Sequence, residues 1–369
     1  MGRRTAVQGA RAVGLGKGDG GVLTRIEIDG FKSFLDFELD VPPFLALVGP
    51  NSSGKSNLLD ALAFVRGAIL SDGGATSHDP LRHDPLLNAR RGKPQELFHK
   101  PAGSTPVNEF TIRVAARNGH EEMTAEVEAD RELGDWHVDR VDAGRLWRRE
   151  VSSWHFHMPD PAVMRQPVSR LDRRPLAEDA ANLAGVLGRM ADTGELDDLM
   201  VDLSALVPDV TGVRPLFDER SEEWSFDLLI DHEPVPCRLA SDGTLRVLAL
   251  LAALYDQSSS GLLMVEEIEN GLHPSRLGEL LERVVQRVGV KEDSWRQVIL
   301  TTHSPVAVST LYATAPDALV FLDSVWRTGG GNPRSRVTIP KPVRPAGEPG
   351  TFVSPRQVRN YLSTVGRAP

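Results

Sequence analysis

The chain contains 369 residues, 40% of them apolar, and carries a formal net charge of −9. This length accommodates one large α/β domain with insertions, or two domains. The acidic balance argues against wholesale coating of a nucleic acid but leaves room for a local basic face. Cys237 is the only cysteine, which excludes an intrachain disulfide and fits the reducing cytoplasm, the expected location. No apolar stretch is long enough to span a bilayer, so no membrane partner is expected.

The N-terminal residues predict a leader followed by strands. Residues 1–21 are rich in glycine and arginine and contain no apolar segment, which is typical of a disordered leader. Apolar residues then alternate over residues 23–28 and again over 37–39, the pattern of half-buried strands. Phe44–Val48 is entirely apolar, as a central strand requires, and the spacing of the leucines predicts a helix over residues 56–65.

The middle of the chain predicts a loop, a β-rich region and two helices. Residues 71–105 are rich in Gly, Pro, His and Asp and predict a surface loop excursion. Short alternating runs around the hairpin dipeptide Asn118-Gly119 predict an antiparallel β-subdomain over residues 106–151. Apolar stripes at helical spacing predict an inserted helical subdomain over residues 175–210. No heptad pattern persists, so long coiled-coil arms are not expected.

The C-terminal residues predict a basic tail. The folded domain is expected to span residues 22–325, because residues 326–369 combine a glycine run, scattered prolines, eight basic residues and one acidic residue. Ser354-Pro355 predicts the start of a short final helix. Such a segment is usually a solvated tail, and a contact surface for nucleic acid or an acidic partner is the alternative.

One segment matches a phosphate-binding motif in full. The pattern G-x-x-x-x-G-K-[ST] is fulfilled by Gly49, Pro50, Asn51, Ser52, Ser53, Gly54, Lys55 and Ser56. Its glycines allow backbone N–H groups to curl around phosphate oxygens, and the following helix offers its positive end. Lys55 would place a cation on the β- and γ-phosphates, and Ser56 would offer its hydroxyl to Mg²⁺. The segment predicts ATP and Mg²⁺ as ligands, with Asn57 as the next residue of the site.

Two carboxylates follow a predicted buried strand. The apolar run 262–265 ends directly at Glu266 and Glu267. The carboxyl end of a buried strand is where α/β proteins place metal ligands and catalytic bases. Glu266 is expected to hold Mg²⁺ through water, and Glu267 to orient or deprotonate the attacking water. A solvated acidic pair is the alternative, and the position after a buried strand disfavours it.

Two further segments could contact the nucleotide. A capped helix start makes an anion site, and such a start is predicted before an apolar helix at Ser241, Asp242, Gly243 and Thr244. His303 follows the apolar run 298–300, and a histidine at the carboxyl end of a strand can reach a γ-phosphate. Each feature is common when it occurs alone. Their occurrence together with the phosphate-binding motif and the two carboxylates favours a role in nucleotide binding.

Taken together and in this order, these elements resemble the ABC-type ATPases of the RecF/SMC-like branch. Chains of this kind are commonly labelled AAA-family ATPases and include the OLD-type phage-defence ATPases. The resemblance covers residues 22–322. Within it, residues 49–57 look like the Walker A motif, and residues 241–244 lie where the ABC signature lies. Residues 262–267 look like the Walker B motif with the catalytic glutamate, and His303 looks like the switch histidine.

Other segments fit the resemblance or depart from it. Residues 26–34 look like the family's opening strand and turn, residues 270–274 look like its D-loop region, and Gln95 is the candidate Q-loop residue. The signature reads Ser-Asp-Gly-Thr instead of the transporter form Ser-Gly-Gly-Gln, which disfavours a transporter subunit. OLD-type enzymes continue into a Toprim nuclease domain, for which residues 326–369 are too few. Any nuclease or other effector is therefore expected to be a separate chain.

The resemblance implies both a fold and a mechanism. The fold is of the α/β class, a P-loop NTPase (ABC-type) core with a mixed sheet, an antiparallel β-subdomain and an inserted helical subdomain. Two copies of the chain would form a homodimer that encloses two ATP molecules. Each ATP would lie between residues 49–56 of one copy and residues 241–244 of the other, and hydrolysis would open the dimer.

Two functional hypotheses use this site. The leading one is an ATPase that acts on DNA, or with a DNA-linked effector, as in repair or phage defence. The alternative is a slow nucleotide-gated scaffold or sensor that holds or releases a partner protein, and turnover with and without DNA would separate the two. A metabolic P-loop kinase is disfavoured, because it would lack the element at residues 241–244.

Overall fold

The computed structural model describes residues 21–71, 93–118, 121–132, 135–258, 261–288, 296–329 and 332–365. Residues 1–20 of the predicted leader and residues 72–92 of the predicted loop excursion lie outside the described residues. The strands are β1 (Val22–Asp29), β2 (Phe37–Asp40), β3 (Phe44–Val48), β4 (Glu109–Asn118), β5 (Glu121–Glu132), β6 (Asp135–Ala143), β7 (His155–His157), β8 (Val168–Ser169), β9 (Val210–Asp218), β10 (Glu223–Ile230), β11 (Glu233–Pro236), β12 (Gly261–Val265), β13 (Arg296–Thr302), β14 (Leu319–Gly329) and β15 (Asn332–Pro342). The helices are α1 (Lys55–Ser71), α2 (Arg145–Ser152), α3 (Pro161–Met164), α4 (Leu183–Thr193), α5 (Glu195–Leu206), α6 (Asp242–Tyr255), α7 (Pro274–Arg287), α8 (Pro305–Thr314) and α9 (Pro355–Val365).

The central sheet has six strands in the order β15-β14-β3-β13-β12-β7. Neighbouring strands are parallel except β14 and β15, which are antiparallel, so the sheet is mixed as predicted. The apolar runs predicted as buried strands form β3, β12 and β13 in its interior. Alternate residues of β3 enter two separate cores, Leu45 and Leu47 one core, Ala46 and Val48 the other. Both faces of the sheet are therefore covered, which explains the apolar runs 44–48 of β3, 262–265 of β12 and 298–300 of β13.

A second sheet of five antiparallel strands has the order β2-β1-β4-β5-β6. The hairpin strands predicted within residues 106–151 are present, but they do not form a sheet of their own, because β4 pairs with β1 along its length. Residues 145–152 at the end of that range are helix α2. The sheet packs on α1 through aromatic rings, with Phe64 lying 5.2 Å from Phe110 between ring centroids. Pairing between strands this far apart leaves no local signal in the sequence.

The region before the signature segment combines helices with a small sheet. Helices α4 and α5 occupy most of the range predicted to be helical, and their apolar stripes are buried, including Leu187, Met190, Leu199 and Leu203. A four-stranded sheet of β8 to β11 accompanies them and was not predicted. Among the described helices, none is long and apolar enough to cross a membrane.

The structure corrects the prediction that residues 326–369 form a basic tail outside the folded domain. Strand β14 runs through the expected boundary at residue 325 to Gly329, and β15 pairs with it as the edge of the central sheet. The predicted final helix is present as α9, which buries Val358 completely. Basic residues of this segment are paired within the protein, Arg327 with Asp36 at 2.9 Å and Lys341 with Asp323 at 2.5 Å. The glycine run that suggested the end of the domain begins at Gly329, the last residue of β14, and residues 330 and 331 lie outside the described residues.

Two neighbouring residues of β15 test this correction. Val337 is fully buried, and Arg336 beside it is exposed. Val337→Ala should lower the free energy of unfolding by about 1.5–2.5 kcal/mol, because two methyl groups leave the core. Arg336→Ala should change it by no more than about 0.5 kcal/mol. Chemical denaturation of both variants measures these changes in unfolding free energy. Near-zero changes for both variants would support the original prediction of a solvated tail.

Candidate nucleotide-binding site

The site lies where three parallel strands end at one edge of the central sheet. Strands β12, β13 and β3 are neighbours, and the segments predicted to bind the nucleotide follow their carboxyl ends. These segments are residues 49–54 after β3, Glu266 and Glu267 after β12, and His303 after β13. The shared orientation of the strands brings together residues that are far apart in the chain.

The phosphate loop closes tightly between β3 and α1. Its backbone takes left-handed φ angles at Ser52 (66°) and Gly54 (104°), a conformation that glycine adopts without strain. A Cβ atom on Gly54 would also lie 2.2 Å from the side-chain oxygen of Thr338 on β15, so the position has no room for another side chain. The Leu58 N–H donates to the Gly54 carbonyl at 3.1 Å, which connects the loop directly to α1.

Lys55 is held inside the loop. Its Nζ donates to the carbonyl oxygens of Gly49 at 2.7 Å and Pro50 at 3.0 Å. Burial lowers the pKa of Lys55, and the carboxylates after β12, chiefly Glu267, oppose that shift. The ammonium group therefore lies in a partly desolvated position with negative charge nearby, where a phosphate would meet a strongly interacting cation.

The two predicted metal ligands, Ser56 and Glu266, are in direct contact. Ser56 Oγ in the first turn of α1 lies 2.5 Å from Oε1 of Glu266 and donates to it. The two residues are separated by 210 positions in the sequence. A hydroxyl and a carboxylate in contact at the start of a phosphate-binding helix are oxygen donors of the kind that Mg²⁺ prefers, so these residues fit the ion.

Glu267 is fixed by its backbone and by a neighbouring amide. Its φ angle is 47°, and its N–H donates to Thr301 Oγ1 at 2.9 Å. Its Oε2 accepts a hydrogen bond from Asn270 Nδ2 at 2.7 Å. Glu267 lines a cavity of about 180 Å³ whose other lining residues are Asn51, Ser52, Gly54, Lys55, Ser56 and Asn57. The phosphate loop and the predicted base therefore share one cavity.

His303 is held by a carboxylate that was not predicted. Oε1 of Glu269 accepts from the His303 backbone N–H at 2.6 Å and lies 2.9 Å from the ring Nδ1. The ring is half-exposed, whereas Glu269 is largely buried. The only sequence signal for Glu269 was a third acid two residues after Glu267, which pattern alone cannot separate from a solvated charge.

The signature segment lies outside the cavity of its own chain. Ser241 caps helix α6, accepting from the Thr244 N–H at 3.2 Å, as the predicted helix start requires. Asp242 pairs with Arg165 at 2.6 Å. A Cβ on Gly243 would lie 2.6 Å from the carbonyl oxygen of Gly271, so this segment packs closely against the loop that follows Glu267. The described cavity lining includes none of residues 241–244.

Other predicted and unpredicted residues surround the loop. The amide of Asn57 donates to Ser33 Oγ at 2.8 Å, and Ser33 lies in the turn after β1. Gln95 lies in a short 3₁₀ helix (Pro94–Leu97), and its side chain is outside the described residues. A second cavity of about 150 Å³ adjoins the site on the β7 side and is lined by His157, Arg246, Glu266 and Glu267 among others.

The chain matches a known protein family and several known proteins. Residues 44–132 and 195–309, more than half of the chain, match the family model described as "AAA domain, putative AbiEii toxin, Type IV TA system". An ATP/GTP phosphatase from Helicobacter pylori is 32% identical over 324 residues, which cover 79% of this chain and 87% of that protein. A chromosome partition protein Smc from Rhodopseudomonas palustris is 30% identical over 184 residues. That match covers 45% of this chain, and this chain spans 15% of that relative's length.

Solved structures show the same fold at low sequence identity. An Smc head bound to the C-winged helix domain of ScpA matches with a TM-score of 0.58 and 14% identity, over 86% of this chain and 97% of that one. The Smc head domain with a coiled coil and joint from Pyrococcus yayanosii matches with a TM-score of 0.58 and 10% identity, over 94% of this chain and all of that one. Fold and site together define the class of ABC-type, SMC-like P-loop ATPases, as the sequence predicted. Within that class the chain belongs to the AAA-domain family whose model it matches.

His157, which lines the second cavity, predicts that the stability of the protein depends on pH. Burial, with a smaller contribution from Arg246, lowers the pKa of His157 to about 3. Its Nε2 is buried without a hydrogen-bond partner among the described residues. The unfolded chain protonates this ring below about pH 6.5, whereas the folded chain does not, so protonation favours unfolding. The free energy of unfolding should therefore fall as the pH decreases from 6.5 towards 3.

His157→Gln should remove this contribution. Between pH 6.5 and 5, the unfolding free energy of the wild type should fall more steeply than that of the variant, by up to about 1.4 kcal/mol per pH unit. Denaturation at several pH values measures both slopes, so a constant loss of stability in the variant does not affect the comparison. The exposed His232→Gln serves as the matched control. Parallel slopes for wild type and His157→Gln would contradict the buried neutral histidine.

Proposed function

We propose that the chain binds ATP with Mg²⁺ in the cavity formed by residues 49–57 and Glu267, and hydrolyses it to ADP and phosphate. The observation that carries this proposal is the contact of Ser56 with Glu266 at 2.5 Å, in direct continuation of the Lys55 loop. Mg²⁺ would be held by the Ser56 hydroxyl and, through water, by Glu266, and would offset negative charge on the phosphates. The name of the Helicobacter pylori relative supports nucleotide hydrolysis.

Each remaining residue has a distinct part in the proposed reaction. Lys55 binds the β- and γ-phosphates, and the loop N–H groups surround them. Glu267 accepts a proton from the water that attacks the γ-phosphorus, as the bond from that phosphorus to the bridging oxygen breaks. His303, oriented by Glu269, donates a hydrogen bond to the γ-phosphate. ADP leaves with the bridging oxygen, and the water oxygen remains on the released phosphate.

Glu267→Gln tests the proposed reaction. The amide oxygen of glutamine can still accept the hydrogen bond from Asn270, but the amide cannot take the water proton. The variant should bind ATP with unchanged affinity and release phosphate at least about 10²-fold more slowly. Phosphate release and ATP binding are measured separately, with Glu282→Gln, exposed on α7, as the matched control. Wild-type turnover in Glu267→Gln would assign the base elsewhere, with His303 the next candidate.

We also propose that the active form is a homodimer. The signature segment lies outside the cavity of its own chain, so a second copy is needed to place residues 241–244 over the nucleotide. Beside the segment, Leu239 is 69% exposed and offers apolar surface for such a contact. The same arrangement would make the ATP-loaded Glu267→Gln variant accumulate as a dimer in size-exclusion chromatography.

Mixed variants test the two-chain site. Ser241→Arg should abolish turnover but keep ATP binding, because a bulky cation replaces the small hydroxyl that would face the partner's phosphates. Lys55→Ala should lose most ATP binding, because the phosphates lose their direct cation. Mixing the two inactive variants should restore partial ATPase activity, since one site of the mixed dimer then has both intact halves. Ser241→Ala, which removes the helix cap without adding bulk, controls for stability. A folded mixture without activity would contradict the shared site.

The wider role is proposed to be work on DNA, as in repair or phage defence, within the cytoplasm and with a separate effector chain. The names of the relatives that take part in chromosome partition support a DNA-linked role. On the β14–β15 hairpin, Trp326 is half-exposed, and the Arg334 guanidinium stacks on its ring at 4.0 Å, a combination that suits nucleic acid. ATP turnover measured with and without DNA tests this role. Stimulation by DNA supports it, and slow turnover indifferent to DNA supports the nucleotide-gated scaffold.

A further inference from the structure

Strand β15 contributes a buried threonine to the phosphate loop. Thr338 is 1% exposed, and its Oγ1 lies 3.0 Å from the Ser53 carbonyl oxygen and 2.8 Å from Ser33 Oγ. Ser33 Oγ in turn accepts from Asn57 Nδ2 at 2.8 Å. The Thr338 N–H also donates to the Ser33 carbonyl at 2.8 Å. The loop is therefore linked to a strand that lies more than 280 positions away in the sequence.

The hydrogen-bond directions follow from the chemistry of the groups. A carbonyl oxygen can only accept, so the single Thr338 hydroxyl proton points to Ser53. Thr338 Oγ1 then accepts the Ser33 hydroxyl proton, and Ser33 Oγ accepts the amide proton of Asn57. All three contacts are satisfied in this arrangement only, with the donors running from Asn57 through Ser33 and Thr338 to Ser53.

This contact orients the peptide unit between Ser53 and Gly54. In a trans peptide the C=O and N–H groups point in opposite directions, so a carbonyl held against Thr338 directs the Gly54 N–H away from β15. Among the described residues, no acceptor is paired with that N–H. Gly54 lines the cavity, whereas Thr338 is not among its lining residues. The N–H is thereby available to a phosphate oxygen, the role that loop amides have in P-loop proteins.

We propose that Thr338 is a positioning residue for nucleotide binding, acting through the Ser53–Gly54 peptide. This inference rests on the proposed function and adds an element that the phosphate-loop motif does not include. The Gly54 N–H would contact the phosphates equally in the bound substrate and in the transition state. Loss of its orientation therefore raises the dissociation constant and KM, while kcat at saturating ATP changes little.

A pair of variants isolates the hydroxyl. Thr338→Ser and Thr338→Ala both lose the methyl group, and the two variants differ only in the hydroxyl, which serine keeps and alanine lacks. Equilibrium binding of ADP should be roughly 3- to 10-fold weaker for Thr338→Ala than for Thr338→Ser, the effect of one lost hydrogen bond. The kcat values of the two variants should agree within about twofold. Thermal unfolding without nucleotide shows that both proteins are folded.

Each outcome decides the inference. Equal ADP affinity of the folded serine and alanine variants, with the wild type binding ADP, would overturn the role of Thr338 and leave the proposed function intact. A wild type that binds neither ADP nor ATP would overturn both. If Thr338→Ala does not fold, Thr338→Val takes its place, because valine keeps the side-chain volume and lacks the donor. Serine affinity close to wild type together with weakened valine affinity would support the inference.

Discussion

The contact between Ser56 and Glu266 is the interaction on which the site depends. It joins the first turn of α1 to the end of β12 over a separation of 210 residues. It can form only because β3, β13 and β12 are parallel neighbours whose carboxyl ends share one edge of the sheet. The order of these strands is therefore the structural requirement for the proposed chemistry, and the surrounding elements maintain it.

The central sheet is held in place from both sides. One core contains α1 and the five-stranded sheet, and the other contains the helices and small sheet that lead to the signature segment. The phosphate loop rests on the first core, and the signature helix α6 belongs to the second. In the proposed homodimer, a nucleotide would thus contact the phosphate loop of one copy and the signature helix of the other.

The residues around the phosphate loop form layers of support. Lys55 and Glu267 line the cavity, and Asn270 holds the carboxylate of Glu267. Glu269 holds His303 in the same way, and Thr338 holds the loop from beneath. The supporting groups come from the loop after β12 and from β15. The C-terminal hairpin and the loop beside the signature are thus both hydrogen-bonded to residues of the candidate site.

The sequence by itself determined the phosphate-loop motif, the position of Glu266 and Glu267 after a buried strand, the interior strands, and the helix starts at Ser241 and Ser354. Each of these has a local signal, such as a motif of eight positions, a short apolar run or a capping residue. Only the tertiary structure decided that β4 extends the sheet of β1, that the expected tail is the edge of the central sheet, and that Glu269 and Thr338 support the site. These features rest on hydrogen bonds between residues far apart in the chain. Strand pairing over such distances depends on which apolar faces remain to be covered once the other elements have packed, and local spacing does not record that.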